Sequence, residues 1–253
     1  MLLLNDSFLL DWHWLDFDEL DSTNTSALTY AQKLVPYQKT VITALKQTAG
    51  KGRRGHAWQG LDGNLFFSLI LNEKLENLSK SVLLSSLVLL LTIKELSKNI
   101  NLKLKLKWPN DVFVNNAKIS GILFEKGEGD ILIAGIGVNI VHAPSLPEAA
   151  YDATSLKNVG ILTDRITFLK NYLEFWEKTR DTWFKNGFEP LKNLWLENAM
   201  GLNEEVCVTD GNKMIKGIFS GVSDDGALLL DTSHEIVKIY AGDVSFFSKD
   251  IVK

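Results

Sequence analysis

Two short segments concentrate charge where a chain can handle an anion. They are Gly50-Lys-Gly-Arg-Arg-Gly55, with Trp58 just beyond it, and Lys107-Trp-Pro-Asn-Asp111. Three glycines and three cations in six residues suit a loop whose backbone N–H groups and side chains close over phosphate or carboxylate. Standing alone, the same residues also fit a solvated basic turn. The segment matches GxGxxG literally, yet His-Ala-Trp-Gln-Gly-Leu-Asp-Gly follows it and does not open a helix, which excludes a dinucleotide fold. No Gly-Lys-Ser/Thr completes a Walker loop, and neither His-Arg-Asp nor Asp-Phe-Gly occurs, so P-loop and protein-kinase chemistry are excluded as well.

In the second segment Pro109 fixes φ and removes a donor, so the strand before it must stop and project Lys107 and Asn110 from a rigid rim. A lysine there either neutralises charge developing on a carboxylate or phosphate, or simply faces solvent. Gly135-Ile-Gly-Val-Asn139 offers close backbone approach followed by an amide; the alternative is a buried strand with a glycine bulge. Ser22-Thr-Asn24 supplies small polar groups that either meet a ligand or cap the next helix. The histidines, at 13, 56, 142 and 234, lack ligand spacing, so no protein-built metal site is expected.

These segments need a scaffold, and the hydrophobic pattern supplies one. Residues 41–45, 64–71, 102–107, 112–114, 118–124 and 131–140 are strand-like runs of one sheet. In 102–107 leucine and lysine alternate strictly, which turns Lys103, Lys105 and Lys107 away from the core. Asn115-Asn116 tolerates the positive φ of a tight hairpin turn. Helices are expected over 28–34, after the cap-rich Asp21 to Ser26, and over 81–98, which is apolar nearly all round. A third starts from Thr163 as N-cap and carries Ile166, Leu169, Leu173, Trp176 and Trp183, with Pro190 opening a fourth. Beyond Gly201 short strands at 206–208, 214–222, 227–230 and 236–240, with Asp210-Gly211 and Asp225-Gly226 turns, describe a small β-barrel that must dock on the larger part to be stable. The expected class is α+β (mixed α/β), with a domain over 1–200 and a small barrel domain over 201–253.

Composition bounds the function. The 253 residues, 45% hydrophobic and 23% charged, can bury a full core. A net charge of −4 argues against a broad nucleic-acid face, so basic function is local. The single Cys207 has no disulfide or zinc partner, which fits a reducing compartment. The apolar start lacks a basic n-region and is broken by Asp6 and Asp11, and the apolar run 82–91 is too short to span a bilayer. A cytoplasmic protein without membrane association is expected.

In order, Asp21-Ser-Thr-Asn24, Gln47, Gly50 to Trp58, Lys107 to Asp111, Lys118-Ile-Ser-Gly-Ile-Leu123 and Gly135 to Asn139 resemble the bacterial biotin protein ligase family. The tail, Gly217-Ile-Phe-Ser-Gly-Val-Ser-Asp-Asp-Gly-Ala-Leu228, looks like that family's C-terminal barrel of the Src-homology-3 kind. The resemblance implies a class II synthetase-like catalytic domain with a mixed central sheet. It also implies a two-step reaction, in which biotin and Mg-ATP give biotinyl-5′-adenylate and a carrier-protein lysine then takes the biotinyl group. By resemblance Ser22, Thr23, Asn24, Gln47, Lys51, Gly52, Arg53 and Lys107 contact biotin, with Gly121, Gly135 and Gly137 leaving room for it. Arg53, Arg54, Trp58, Asn110, Lys118 and Asn139 face ATP and the adenylate, and Lys107 and Arg53 are the catalytic pair. The loop Gly50 to His56 is expected to be mobile without ligand and ordered over the adenylate.

Mg2+ accompanies ATP, and the implied acceptor is a biotin carboxyl carrier protein, such as that of acetyl-CoA carboxylase. Lys51 departs from the arginine usual at its position, which removes a bidentate contact. Only about 20 residues precede Asp21, so a DNA-binding repressor domain and DNA binding are not expected. A homodimer could form through an exposed sheet edge. The rivals are a lipoate or octanoate ligase, which shares the fold, and an RNA-binding module built on Gly52 to Arg54 and Trp58.

Overall fold

The computed structural model describes residues 1–33, 38–98, 100–145, 151–211 and 213–246. A hairpin of β1 (Leu3–Leu9) and β2 (Trp12–Leu20) leads to α1 (Thr23–Ala31), β3 (Thr40–Gln47) and β4 (Leu65–Asn72). Next come α2 (Leu78–Leu96), β5 (Leu104–Lys107), β6 (Asp111–Val114), β7 (Ala117–Lys126) and β8 (Ile131–Val138). Two helices follow, α3 (Arg165–Asn186) and α4 (Glu189–Glu197). The tail carries β9 (Glu205–Asp210), β10 (Lys213–Val222), β11 (Leu228–Asp231), β12 (Ile236–Ile239) and β13 (Asp243–Phe246).

The first eight strands form one mixed sheet in the order β1-β2-β3-β4-β8-β7-β6-β5, in which only β2 and β3 run parallel. Period-two alternation divides its faces. Val41, Phe67, Leu69 and Ala134 bury against Leu83, Leu87 and Val88 of α2 and Phe168, Leu169 and Tyr172 of α3. Ile42, Ala44, Ile70 and Ile133 point the other way, against Ala27 of α1. The remainder of that second face is left for the site. The segment Leu75–Leu96 is long and apolar enough to cross a membrane, but here it is the central core helix region, with Trp195 of α4 donating its indole N–H to Ser86 at 2.9 Å.

The tail strands form a five-stranded antiparallel sheet, β12-β11-β10-β9-β13, bent by a register shift between Phe219 and Gly221, and this is the small barrel-like unit expected from the turns. It docks on the larger sheet's layers, with Lys192 of α4 2.5 Å from Asp224 and the Gly226 turn against the start of α2. Of the large sheet's edges, β5 is bridged by the backbone of Asn198 and Met200, whereas β1 is open and leaves Phe8 exposed.

Several local expectations need correction. The sequence pattern does not show β1 and β2, whose acidic residues mask the alternation, nor β13, which is short and polar. Helix α1 begins at Thr23, not Leu28, so the run 21–26 is mostly helix rather than cap; Leu34 lies outside the described residues. Residues 102 and 103 precede β5. The N-cap of α3 is Asp164 rather than Thr163: its carboxylate accepts from the N–H groups of Ile166 and Thr167, each at 2.9 Å. A carboxylate serves better than a neutral hydroxyl there because it also meets the positive end of the helix dipole.

The cap and the core differ in weight. Losing a cap costs about 0.5–2 kcal/mol, whereas truncating a fully buried leucine such as Leu87 to alanine costs about 2–5 kcal/mol. The Thr167 hydroxyl, then the helix N–H groups, hold the Asp164 carboxyl below its ordinary 3.8, so its stabilisation is present above that value and lost as pH falls through the lower folded one. Urea unfolding of Asp164→Ala should therefore show a deficit at pH 7 that shrinks below pH 3.8; a pH-independent deficit would refute the cap assignment.

Candidate active site

The strand register lays out the site. Directly paired positions share a face, and one cross-strand row reads Lys107, Asp111, Gly121, Gly137 and Phe66 over β5, β6, β7, β8 and β4. The next row carries Leu123, Gly135 and Ser68. Glycines in the middle of these rows sink a trough into the sheet. Trp58 and Asn24 lie in it: a β-carbon on Gly137 would come within 2.3 Å of the Trp58 ring, and one on Gly135 within 2.1 Å of the Asn24 amide. The indole N–H of Trp58 is buried without a partner among the described residues.

At one end of the trough the start of α1 meets the end of β3. Gln47 Oε1 accepts from Thr23 N–H at 2.8 Å and faces the Thr23 hydroxyl at 3.2 Å. Ser68 Oγ lies 2.8 Å from Thr23 Oγ1 and 2.6 Å from Asn24 Oδ1, and Asn24 Nδ2 donates to Glu125 at 2.7 Å. Among the described residues the Ser22 hydroxyl and Gln47 Nε2 have no hydrogen-bond partner. A buried polar cluster with one hydroxyl and one amide donor in reserve is what a neutral group with both donors and acceptors requires.

Toward the other end lie Arg53, Arg54, Lys107 and Lys118, while Lys51 stays beside Glu125 at the first end. The segment 50–58 folds back on itself as a hairpin, with Gly52 N–H donating to His56 O at 2.7 Å and Trp58 N–H to Gly50 O at 2.9 Å. Its tip is a 3-10 turn, Arg53–Gly55, with Arg54 at φ 52° and Gly55 at φ 80°. Arg53 reaches Asn110 Oδ1 at 3.1 Å, Asp243 at 3.3 Å and Gly242 O at 3.2 Å. Arg54 pairs with Asp243 at 2.9 Å and Asp210 at 3.1 Å, while Lys51 faces Glu125 at 3.8 Å. Lys118 pairs with Asp111 at 2.8 Å.

Lys107 is 8% exposed, so the rim lysine expected from the alternation does turn away from the helical core yet is not solvent-exposed, because Tyr151 and the tail sheet cover that face. Burial lowers its pKa, opposed by Asp111; burial likewise lowers that of Arg53, opposed by Asp243. Asn110 is buried, donating to Ile122 O at 2.6 Å. Asn139, just past β8, is 2% exposed and its amide donates to Thr154 O at 3.0 Å.

The sequence-based reading missed Ser68, Glu125, Tyr151 and Asp243. A lone hydroxyl inside Phe66-Phe-Ser-Leu-Ile70 was a usable signal for Ser68. Nothing local marks Tyr151 or Asp243, whose roles arise from chain crossings of 44 and 190 positions.

Residues 17–140 match the biotin/lipoate A/B protein ligase family, and residues 201–247 match the biotin protein ligase C-terminal domain. A bifunctional ligase/repressor BirA of Bacillus subtilis is 34% identical over 240 residues, covering 92% of this chain and 73% of that one. A biotin–[acetyl-CoA-carboxylase] ligase of Paracoccus denitrificans is 34% identical over 224 residues, covering 83% of this chain and 90% of its own. The chain belongs to the biotin protein ligase family. Among solved structures, a biotin protein ligase from Aquifex aeolicus in complex with biotin and ATP superposes with a TM-score of 0.77 at 31% identity, covering 93% of this chain and 98% of that one.

For this ligase the trough floor makes a direct prediction. Gly137→Ala should expel Trp58 from the sheet face and loosen the hairpin that carries Arg53 and Arg54. Trypsin cleavage after Arg53 or Arg54 should then accelerate severalfold; an unchanged cleavage rate would show that Trp58 does not hold the hairpin.

Proposed function

We propose that the chain activates biotin with MgATP and transfers it to a carrier lysine, with the roles divided along the trough. A biotin carboxylate oxygen attacks the α-phosphorus, the Pα–O–Pβ bond breaks, and biotinyl-5′-adenylate and pyrophosphate result. The acceptor amine then attacks the acyl carbon, AMP leaves, and the amine gives up its proton. The observation that carries this reading is the adjacency of two complementary ends. The neutral polar cluster of Ser22, Thr23, Gln47 and Ser68 suits the ureido ring. The cation cluster suits the carboxylate and phosphates.

Lys107 and Arg53 stabilise the negative charge that builds during the attack: Lys107 is buried at the end of the row, where charge interactions are less screened, and Arg53, about a quarter exposed, reaches Asn110 beside it. Arg54 and Lys118 assist with phosphates, and Lys51 closes over the carboxylate from the exposed side. Trp58 lies against Gly121 and Gly137 and gives the trough its apolar surface. Among the described residues no group of three or more His, Cys, Asp or Glu side chains could hold a metal, and Mg2+ enters with the nucleotide. The acceptor we assign is a biotin carboxyl carrier protein of an acetyl-CoA carboxylase, the substrate for which the Paracoccus relative is named. Residues 1–200 would supply the catalytic domain and 201–253 the barrel that backs it, in a cytoplasmic enzyme whose single Cys207 is buried.

Pyrophosphate release should depend on biotin, and lipoate or RNA should not replace it. Removing one charge-stabilising donor costs about 2.7–4 kcal/mol of barrier, so Lys107→Ala or Arg53→Ala should slow adenylate formation roughly a hundredfold or more. A loss below fivefold in either would remove that residue from the catalytic pair.

A further inference from the structure

Of the five cations at the site, four face carboxylates: Lys51 faces Glu125, Arg53 and Arg54 face Asp243, and Lys118 faces Asp111. Lys107 differs. Among the described residues its ammonium makes no ion pair or hydrogen bond and lies instead 4.5 Å from the centroid of the Tyr151 ring. The difference matters chemically. A carboxylate on Lys107 would occupy its N–H donors and cancel the charge that the attack on phosphorus needs. A π face attracts the ammonium electrostatically while leaving the formal charge and the donors free.

The ring is well fixed for this task. Its hydroxyl donates to Val244 O of β13 at 3.3 Å, and its plane meets Phe113 of β6 edge-on, 5.2 Å between centroids at 83°. The following backbone is tied to β7, with Lys118 N–H donating to Asp152 O at 2.8 Å and Thr154 N–H to Lys118 O at 2.9 Å. Ring and ammonium are thus held from the tail sheet, from β6 and from β7.

We infer that Tyr151 is the positioning residue of Lys107, its π face holding the ammonium over the trough with charge and donors kept available for the anion that forms there. The inference rests on the proposed catalytic role of Lys107. Because the interaction is with the ring, the hydroxyl is secondary, and ring electronics should tune the reaction.

The test is single-turnover formation of biotinyl-5′-adenylate by the full chain, with biotin affinity measured alongside. Tyr151→Phe should stay within about twofold, and Tyr151→Leu should lose about 5- to 30-fold in rate, the range of a cation–π contact from partly exposed to desolvated. Replacing Tyr151 by phenylalanines carrying one, two and three fluorines keeps the shape while draining the π face. The rate should fall stepwise along that series with biotin affinity unchanged, whether or not Tyr151→Leu folds. In a Lys107→Ala background, Tyr151→Leu should have no further effect.

A flat fluorine series alongside a slow Lys107→Ala overturns the inference and leaves the role of Lys107 standing. An undiminished rate in Lys107→Ala removes the premise and overturns both.

Discussion

Gathering five cations at one site is the constraint around which this ligase is arranged. Clustered like charges repel, and an opposite charge or a π face beside each offsets that cost. The partners come from different parts of the chain. Asp111 sits on β6, Glu125 on β7, and Asp210 and Asp243 on the tail sheet. The tail sheet is therefore part of the electrostatic balance of the site: its acidic residues hold the arginines that the hairpin 50–58 presents.

The second requirement is room. A nucleotide and an acyl group must reach charges buried at one end of a sheet, and an ordinary strand face is filled by side chains. Gly121, Gly135 and Gly137 clear the sheet face by register, since pairing places Gly121 opposite Gly137 and Gly135 opposite Ser68, and the Trp58 ring and Asn24 amide seat in the space they open. Trp58 rests over this floor and links its shape to the hairpin, so the apolar and charged halves of the site are carried by one segment. Arg53 couples that segment to Asn110 in the β5–β6 turn, whose two ends are the backbone-paired Lys107 and Asp111.

Much of this was legible in the residues themselves. The strands of the large sheet from β3 onward, the core helix α2, the Asn115-Asn116 turn with φ values of 49° and 68°, and the separate character of the tail followed from periodicity and turn chemistry. The charged loop, the lysine before the proline turn and the glycine pairs were equally visible, because each is a short local pattern with a mechanism. What periodicity misjudged was polarity that tertiary structure overrides. β1 and β2 carry acidic residues through a sheet edge, and the polar run 21–26 is helix because α1 packs on the second face of β4 and β8.

The sequence by itself determined which chemical groups this enzyme owns and their order, since motif spacing and alternation are local properties that survive in any fold. Only the tertiary structure decided how those groups are balanced. Alternation turned Lys107 away from the helical core, but a one-dimensional pattern has no means of saying what covers the opposite face. Tyr151 and Asp243 lie 44 and 136 positions beyond Lys107, and nothing near either marks it. They meet the site because the tail sheet docks against the end of β5 to β7, which sets an ordinary ring against the Lys107 ammonium and an ordinary, half-exposed carboxylate against Arg53 and Arg54.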